Sequence, residues 1–447
     1  MGRPPQKPLE NVPRAYLTVR CKFLLALLVA TAWAALSTRV AGRWYQELAG
    51  LAGYGFAFFA IAFVAIVPGF MNAFVFTSLL LDRRPSRHPL STYPRLTILI
   101  AAYNEAGQIG PTLDSIARQD YPAALEIFVV NDGSADTTSA EARSREARLP
   151  GLRVIDLPAN GGKARALNAG LALATNDLLV TIDADCVLLP QALRHLVERY
   201  AADPPDTRAV AGTVFVRNSR DSLIARAQEW DYFHGIAAIK RVQSLYHGTL
   251  VAQGAFSLYE REAVVRVGGW PDGVGEDIVL TWALLQAGYR VGHAEDACLF
   301  TTVPSGVWQF MAQRRRWARG MLEAFNRHPR VLLRARLSTM FVFWNTFFPL
   351  LDAAYVFAFM PGVVLALAGH FWIAGPMTFA LLPLALLSNG YVHRIQKRLF
   401  RDQGLTVRDN PSGFVVYLLL YGFVMQPACV LGYVQEYVRA RKSWGTK

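Results

Sequence analysis

Cysteine is scarce in this sequence, which has 447 residues and four cysteines, Cys21, Cys186, Cys298 and Cys429. None of them belongs to a CxxC pair, and no His/Cys cluster supplies the ligands of a zinc site. These absences argue against a disulfide framework and against a structural zinc centre. We therefore predict that the four cysteines are packing residues.

Charge is also sparse, and long stretches have none. Hydrophobic residues make up 53% of the chain and charged residues 18%, which is too apolar for an ordinary soluble protein. Residues 48–81 carry no charge, and residues 23–37 (FLLALLVATAWAALS) approach the roughly 20 apolar residues of a spanning helix. We predict a transmembrane hairpin within residues 1–82. A cleaved signal peptide is the alternative for the first stretch, but its apolar run is long and a second span follows directly.

Basic residues flank this hairpin more densely than they occupy its loop. They are Arg14, Arg20 and Lys22 before it and Arg83, Arg84 and Arg87 after it, against Arg39 and Arg43 between the spans. Lys and Arg near span ends favour the cytoplasmic side. Both ends of the hairpin, and the polar segment that follows it, are therefore predicted to be cytoplasmic at the plasma (inner) membrane.

A second apolar region begins near residue 337. Residues 337–393 contain Asp352 as their only Asp, Glu, Lys or Arg and are long enough for two spans, while residues 412–434 are long enough for one. Three spans would leave the basic C-terminal segment EYVRARKSWGTK outside, against the charge rule. An even number of spans, with one stretch re-entrant or flat, would satisfy that rule, and both alternatives stay open. The net charge of +13 suits contact with anionic membrane lipid and an anionic ligand, and nothing indicates nucleic-acid binding.

The polar segment starts with the pattern of an α/β domain. RLTILIAAYNEAG and LEIFVVNDGSADTT are apolar strands that end in polar loops, with helical spacing between them. Parallel pairing would bring the loops of Tyr103, Glu105 and Asp132 to the carboxyl edge of the sheet, where ligands bind. For the loop of Asp132, a simple turn followed by a helix cap is the alternative.

Two further elements carry chemistry suited to a diphosphate. The Gly161-Gly162 turn would let backbone approach a ligand, and Lys163 follows it at a helix start. A buried strand, Leu178–Ile182, then delivers Asp183 and Asp185 on the same side, where a hard divalent cation could join them to a diphosphate. The alternative is that the two carboxylates cap a helix.

Six motifs occur in an order that resembles the family 2 processive glycosyltransferases. They are Tyr-Asn-Glu, Asn-Asp-Gly-Ser, Gly-Gly-Lys-Ala-x-Ala-Leu-Asn, Asp-Ala-Asp, Gly-Glu-Asp and Gln-Arg-Arg-Arg-Trp. This group includes cellulose, chitin, hyaluronan and poly-N-acetylglucosamine synthases. The resemblance covers about residues 94–335 and departs from the usual pattern at Ala101, where many members have proline. It implies a cytoplasmic GT-A nucleotide-sugar-binding domain of the α/β class, inserted between N- and C-terminal transmembrane helices. We place that domain at residues 83–303, an interfacial helix region at 304–336 and the C-terminal transmembrane region at 337–447.

The resemblance also implies roles for the donor-site residues. Asp132 and the loop of Tyr103 and Glu105 would meet the uracil and ribose of a UDP-sugar, and Lys163 would lie near the nucleotide. Asp183 and Asp185 would face the diphosphate and its Mg²⁺ or Mn²⁺.

An inverting transfer needs a base that removes the proton of the acceptor hydroxyl, and Asp277 in GVGEDIVLTWALLQ is the candidate. Its alternative is an ordinary helix N-cap, and Glu276 would support it. Gln253 and Gly254 would line the acceptor path, whereas Phe256 is equally suited to the core. His234 is interpreted as a hydrogen-bonded neighbour and not as a metal ligand.

Gln313, Arg316 and Trp317 share one face of a helix by their spacing of three and four. An arginine complements a leaving diphosphate and an indole offers a flat surface to a sugar. The resemblance places such a tryptophan at the acceptor end, at the mouth of a transmembrane channel. Arg314, Arg315 and Arg319 are assigned to lipid headgroups, which is also the alternative for the whole helix.

The GEDIVLTW helix and the two-span start most resemble bacterial poly-β-1,6-N-acetylglucosamine synthases. The expected product is that polymer, made from UDP-N-acetylglucosamine as the growing polysaccharide is exported, with a small membrane accessory subunit as a further partner. Hyaluronan, chitin and β-glucan synthesis remain alternatives. A lipid-phosphate sugar transferase would share the nucleotide site but has no need of the Gln-Arg-Arg-Arg-Trp helix.

Overall fold

The structure is a computed structural model that describes residues 17–83, 87–375, 382–406 and 409–439. A sheet of eight strands lies at the centre of the polar segment. In chain order the strands are β1 (Leu96–Ala102), β2 (Leu125–Asn131), β3 (Leu152–Asp156), β4 (Leu178–Ile182), β5 (Val187–Leu188), β6 (Thr207–Val216), β7 (Phe256–Glu260) and β8 (Arg290–Thr301).

The sheet is mixed, with the strand order β3-β2-β1-β4-β7-β6-β8-β5. The first four strands in this order pair in parallel, whereas β7 runs antiparallel to both β4 and β6. At the far side, β8 is parallel to β6 and antiparallel to β5. The register pairs Ala102 with Asn131, so the loops after β1 and β2 emerge side by side at the carboxyl edge.

Both faces of the sheet are covered. All seven residues of β1 are buried, with Leu96, Ile98 and Ile100 in one hydrophobic core and Leu99 and Ala101 in the other. An apolar strand that is buried on both sides is typical of parallel α/β sheets. The predicted α/β class is therefore confirmed.

Helices surround the sheet and follow it. Within the sheet domain they are Ile109–Ala117, Thr138–Arg143, Lys163–Leu173, Ala192–Ala202, Leu223–Trp230 continued by the π-helical turn Asp231–Ile236, Ala237–Leu245, Arg261–Arg266 and Glu276–Gln286. Val307–Arg327 is the helix that carries Gln-Arg-Arg-Arg-Trp, here called the QRRRW helix, and the 3-10 turn Pro329–Leu333 follows it.

Three described helices are long and apolar enough to cross a membrane: Val19–Val40, Tyr54–Leu81 and Thr339–Leu367. Gly42–Ala52 connects the first two. Near the C-terminus, Pro411–Leu419 and Tyr421–Tyr437 are bent by 49° and would give a fourth span if they cross together.

Among the described residues of 337–393, Thr339–Leu367 is the one helix long and apolar enough to span a membrane. The next described helix, Leu382–Asp402, carries basic side chains in its second half, and the number of C-terminal spans stays open. That helix packs on the sheet domain: the rings of Phe400 and Phe215 are 4.7 Å apart. Of the predicted flanking charges, Arg14 and Arg84 lie outside the described residues.

Candidate active site

The loops that follow β1 and β2 bind each other at the carboxyl edge of the sheet. Asn104 has a left-handed backbone (φ 54°), donates its N–H to Ser134 Oγ at 2.9 Å and accepts from the N–H of Ala135 at 2.9 Å. Glu105 donates its N–H to Thr138 Oγ1 at 2.8 Å. The structure therefore brings the loop of Tyr103 and Glu105 next to the loop of Asp132, as the sequence predicts.

Asp132 is fully buried and holds the glycine turn. Its carboxylate accepts the N–H of Gly161 at 3.0 Å and that of Gly162 at 2.7 Å. The prediction that this turn offers its backbone to a ligand is corrected, because these two N–H groups already satisfy a buried carboxylate. What the turn does is fix the start of the Lys163–Leu173 helix.

Lys163 bridges two carboxylates. Its Nζ lies 2.6 Å from Asp183 Oδ1 at the end of β4 and 3.3 Å from Glu276 Oε1. Burial by itself lowers the pKa of Lys163, but Asp183 and Glu276 outweigh it and the pKa is raised, so the amine stays protonated. A Cβ at Gly254 would stand 2.6 Å from Nζ, so glycine leaves the room that the lysine needs.

Asp183 and Asp185 lie together where β4 ends. Burial, the charge of Asp183 and that of Glu105 raise the pKa of Asp185 to about 6, although it accepts a hydrogen bond from Thr301 Oγ1 at 3.2 Å. No group of three or more His, Cys, Asp or Glu side chains in the described part of the chain is arranged to hold a metal. A pair of carboxylates still fits Mg²⁺ or Mn²⁺, since such ions commonly take one or two carboxylates and complete their shell with substrate phosphates and water.

Asp277 sits in the first turn of the Glu276–Gln286 helix, whose N-cap is Gly275. Asp277 lies two residues after the N-cap, so the alternative that it is the N-cap is wrong. Its Oδ1 accepts the N–H of Ile278 at 2.7 Å and its Oδ2 that of Gly254 at 3.1 Å. These bonds orient a partly exposed carboxylate beside the loop that leads into β7.

The predicted acceptor residues lie in that same segment. Gln253 donates its side-chain N–H to the carbonyl of Gly212 at 2.7 Å, and its buried Oε1 has no hydrogen-bond partner in the described structure. Phe256 is fully buried in β7, so the core alternative is correct for that residue. His234 is buried and stacked on Trp230 at 5.0 Å, with no partner for Nε2 among the described residues, so it is a packing residue and not the hydrogen-bonded neighbour we expected.

The QRRRW helix packs closely against other helices on two sides, at positions where glycine leaves room. A Cβ at Gly275 would lie 2.5 Å from the Cα of Gly320, so this helix touches the start of the Glu276–Gln286 helix backbone to backbone. A Cβ at Gly432 would lie 2.5 Å from the carbonyl oxygen of Arg315, on the side of the last C-terminal helix. The QRRRW helix therefore connects the carboxylates of the site to the C-terminal helices.

Arg314 takes a place in the protein interior, contrary to its assignment to lipid headgroups. Its guanidinium binds Asp231 at 2.8 Å and the hydroxyl of Tyr421 at 2.8 Å. Its Cζ also lies 4.1 Å from the ring centroid of Trp317, three residues along the helix. Residues three apart share a face, so Arg314 lies on the same side of the helix as Trp317.

Arg319 is likewise buried and pairs with Glu436 at 3.1 Å, which contradicts its headgroup assignment. The side chains of Gln313 and Arg316 are partly exposed, and Trp317 is 39% exposed. Arg316 acts electrostatically on Glu276, which places its charge near the carboxylates, and it has no ion pair with any described carboxylate. The predicted face of Gln313, Arg316 and Trp317 thus combines an arginine that has no ion pair within the described residues with a partly exposed indole.

Sequence reasoning missed several partners. Asp231 and Tyr421 fix Arg314, Thr301 binds Asp185, and Tyr232 lies 6.4 Å from Trp317 between ring centroids. The sequence offers one signal for Asp231, which is an acid flanked by the aromatic residues Trp230 and Tyr232. Nothing local marks the others, because they are 85 to 190 residues from the groups they contact or pair with.

Comparison with known proteins agrees with this geometry. Residues 97–268, which include Asp132, Lys163, Asp183 and Asp185, match the family described as Glycosyl transferase family 2. The chain therefore contains a family 2 glycosyltransferase domain.

Curated relatives carry a more specific name. The chain is 36% identical over 246 residues to the poly-beta-1,6-N-acetyl-D-glucosamine synthase of Staphylococcus aureus (strain MSSA476), across 55% of this chain and 57% of that protein. It is 34% identical over 226 residues to the synthase of the same name from Staphylococcus epidermidis, across 50% of this chain and 54% of that protein. The match thus spans little more than half the length of these relatives.

A solved structure shares the fold. The mannosyltransferase PcManGT from Pyrobaculum calidifontis, in complex with GDP-Man and Mn2+, matches 86% of this chain and 99% of its own with a TM-score of 0.59 and 24% identity. The likeness extends beyond the sheet domain and confirms the GT-A-like α/β architecture.

Proposed function

We propose that this protein is a membrane-embedded inverting glycosyltransferase that polymerises a UDP-sugar. The observation that carries the proposal is the meeting of Asp183, Lys163, Glu276 and Asp277 at one end of β4, with Arg316 of the QRRRW helix beside them. The family 2 domain and the synthase relatives support the same class of reaction.

In the proposed reaction, Asp277 removes the proton of an acceptor hydroxyl while that oxygen attacks the anomeric carbon of the donor. The bond from this carbon to the diphosphate breaks, and UDP leaves with the bonding electrons. Arg316 stabilises the negative charge on the departing diphosphate. Asp183 and Asp185 would hold Mg²⁺ or Mn²⁺, which neutralises charge on the diphosphate when it is bound.

Trp317 would support the acceptor sugar, with its indole held in place by Arg314. The sheet domain would lie in the cytoplasm, the polymer would pass outward between the C-terminal helices, and successive additions would make the enzyme processive. This arrangement is supported by the basic residues that flank the N-terminal hairpin and by the close packing of the QRRRW helix on the C-terminal helices.

For the product, we propose poly-β-1,6-N-acetylglucosamine made from UDP-N-acetylglucosamine, in line with the curated relatives. A small membrane accessory subunit is part of the proposal. Membranes that contain this chain, with and without its native neighbours, should be incubated with labelled UDP-N-acetylglucosamine, UDP-glucose and UDP-glucuronate, singly and in pairs.

The product should be sized and digested with linkage-specific hydrolases. Long chains cut by a β-1,6-N-acetylglucosaminidase support the proposal. A polymer made from UDP-glucose alone indicates a β-glucan synthase, and one that requires UDP-glucuronate indicates a hyaluronan synthase. A single sugar attached to a lipid phosphate would show a non-processive transferase and overturn the proposal.

A further inference from the structure

The helix Leu382–Asp402 carries a basic cavity that the proposed reaction does not use. The cavity has a volume of about 520 Å³ and is lined by Arg394, Lys397, Arg398, Arg401, Leu405 and Thr406. The four basic side chains are exposed, and none forms an ion pair with a described residue. Asp402 is the only acidic residue of the helix. This cavity is called the basic cavity below.

The opposite side of the helix is held by the sheet domain. Val392 and Phe400 are 8% and 9% exposed, and the ring of Phe400 packs on Phe215 of β6. Beyond the helix, Gln403 donates to the carbonyl of Asp296 on β8 at 3.1 Å. Packing of the opposite side on the sheet domain therefore leaves the basic side chains facing outward.

Contacts with a candidate span give the depth of the cavity. Tyr391 packs on Phe76, with 5.7 Å between ring centroids, and Phe76 belongs to the span Tyr54–Leu81. Five residues separate Phe76 from the end of that span, which is roughly 7 Å at about 1.5 Å per residue. Tyr391 thus lies about one and a half turns inside the end of the span.

From Tyr391 the helix runs toward the sheet domain. Its basic residues follow after three to ten positions, about 4 to 15 Å along the helix. With the helix axis taken parallel to the span, they are spread from roughly 3 Å inside the end of the span to roughly 8 Å beyond it. The headgroup layer of a bilayer leaflet is roughly 5 to 8 Å thick, so the basic cavity falls at its level.

We propose that the basic cavity binds the phosphate of an anionic phospholipid headgroup. Four cations that have no carboxylate partner among the described residues suit a phosphodiester, and the depth of the cavity favours a lipid over a soluble phosphate. Contact with lipid headgroups was predicted for Arg314 and Arg319, but both are buried in ion pairs. The basic cavity takes that role instead. It is independent of the proposed transferase activity.

The test uses the full-length protein in detergent, titrated with phosphatidylglycerol or phosphatidylcholine and followed by native mass spectrometry. Phosphatidylglycerol should bind the wild type more tightly than phosphatidylcholine does. The double variant Lys397→Gln/Arg398→Gln should bind it roughly 30-fold more weakly, from the contribution expected of two basic residues at a membrane surface. The matched control Arg118→Gln/Arg148→Gln, which removes two exposed arginines of the sheet domain, should bind as the wild type does.

Unchanged phosphatidylglycerol binding by the double variant would overturn the proposal. So would displacement of bound lipid by inorganic phosphate at low millimolar concentration, since the cavity would then take a soluble anion. Lys397→Arg/Arg398→Lys keeps both charges and should keep the affinity. That variant, with thermal unfolding of every protein, separates lost binding from lost folding.

Discussion

The basic side chains on the donor side of the site and those on the QRRRW helix differ in their carboxylate partners. On the donor side, Lys163 is neutralised by Asp183 and Glu276 before any ligand arrives. On the helix, Arg314 is neutralised by Asp231, whereas Arg316 has no ion pair with a described carboxylate.

This difference separates residues that build the site from residues that face a ligand. A buried cation with carboxylate partners has its charge satisfied and fixes geometry, while an unpaired cation beside the site can meet a new anion. Within one motif of five residues, the protein thus has an arginine of each kind. The predictions below test that division, starting with the largest expected effect.

Asp277→Asn should abolish transfer while leaving UDP binding intact, because it removes the proposed base but keeps the shape of the side chain. The expected loss in kcat is about 10²- to 10⁴-fold. Polymer synthesis and UDP calorimetry measure the two effects. Asp114→Asn, the same change on an ion-paired surface carboxylate, is the control and should be active. Near-normal polymer output from folded Asp277→Asn would remove this residue from the mechanism.

Asp185→Asn should weaken metal-dependent UDP binding by roughly 10- to 100-fold, since it removes a proposed oxygen ligand of the cation. Calorimetry with Mn²⁺ and with a chelator checks this. In the chelator the variant and the wild type should bind UDP alike. If affinity in Mn²⁺ were also unchanged, the cation would have to be held elsewhere.

Trp317→Ala should lower kcat/KM for the acceptor by roughly tenfold or more, because the acceptor sugar loses its supporting surface. UDP affinity should change little. Trp308→Ala is a close control, since Trp308 lies on the same helix, is 81% exposed and should tolerate the change. An equal loss of donor binding and of polymerisation in folded Trp317→Ala would contradict a specific acceptor role.

Arg314→Lys should have the smallest effect, about 2- to 30-fold on the KM of the acceptor with little change in kcat. The lysine keeps the charge opposite Asp231 but loses the planar stacking on Trp317. Arg315→Lys, one residue further along the helix, is the control. A fall in kcat with unchanged KM would show that Arg314 does not act by positioning the indole.

Much of the sheet domain could be predicted from local pattern. The apolar strand at Leu178–Ile182 is found where alternation and turn residues place it, and the α/β class follows from strand, helix and strand in sequence. The loops of Tyr103 and Asp132 meet as expected, because parallel strands end at one edge. These features depend on residues that are close in the chain or on rules that hold for any parallel sheet.

The partners of the charged residues could not be predicted in this way. Helical spacing allows both Arg314 and Arg316 to lie near Trp317. Only the fold shows that Asp231 and Tyr421 enclose Arg314. The packing of the helix Leu382–Asp402 is a second example. Its sequence does not show which part of the protein it meets, whereas the contact of Phe400 with Phe215 shows that its end packs on the sheet domain.

By itself, the sequence indicated the first strands and helices of the sheet domain, the apolar segments and the chemical types at the site, since these depend on composition and short-range periodicity. Tertiary structure decided which charges are neutralised. Gly275 and Gly320 let two helices touch and bring Arg316 toward Glu276, and the buried carboxylate of Asp132 supports a glycine turn. The physical reason is that the net effect of a charge depends on its nearest counter-charge and on burial, and both are set by residues far apart in the chain.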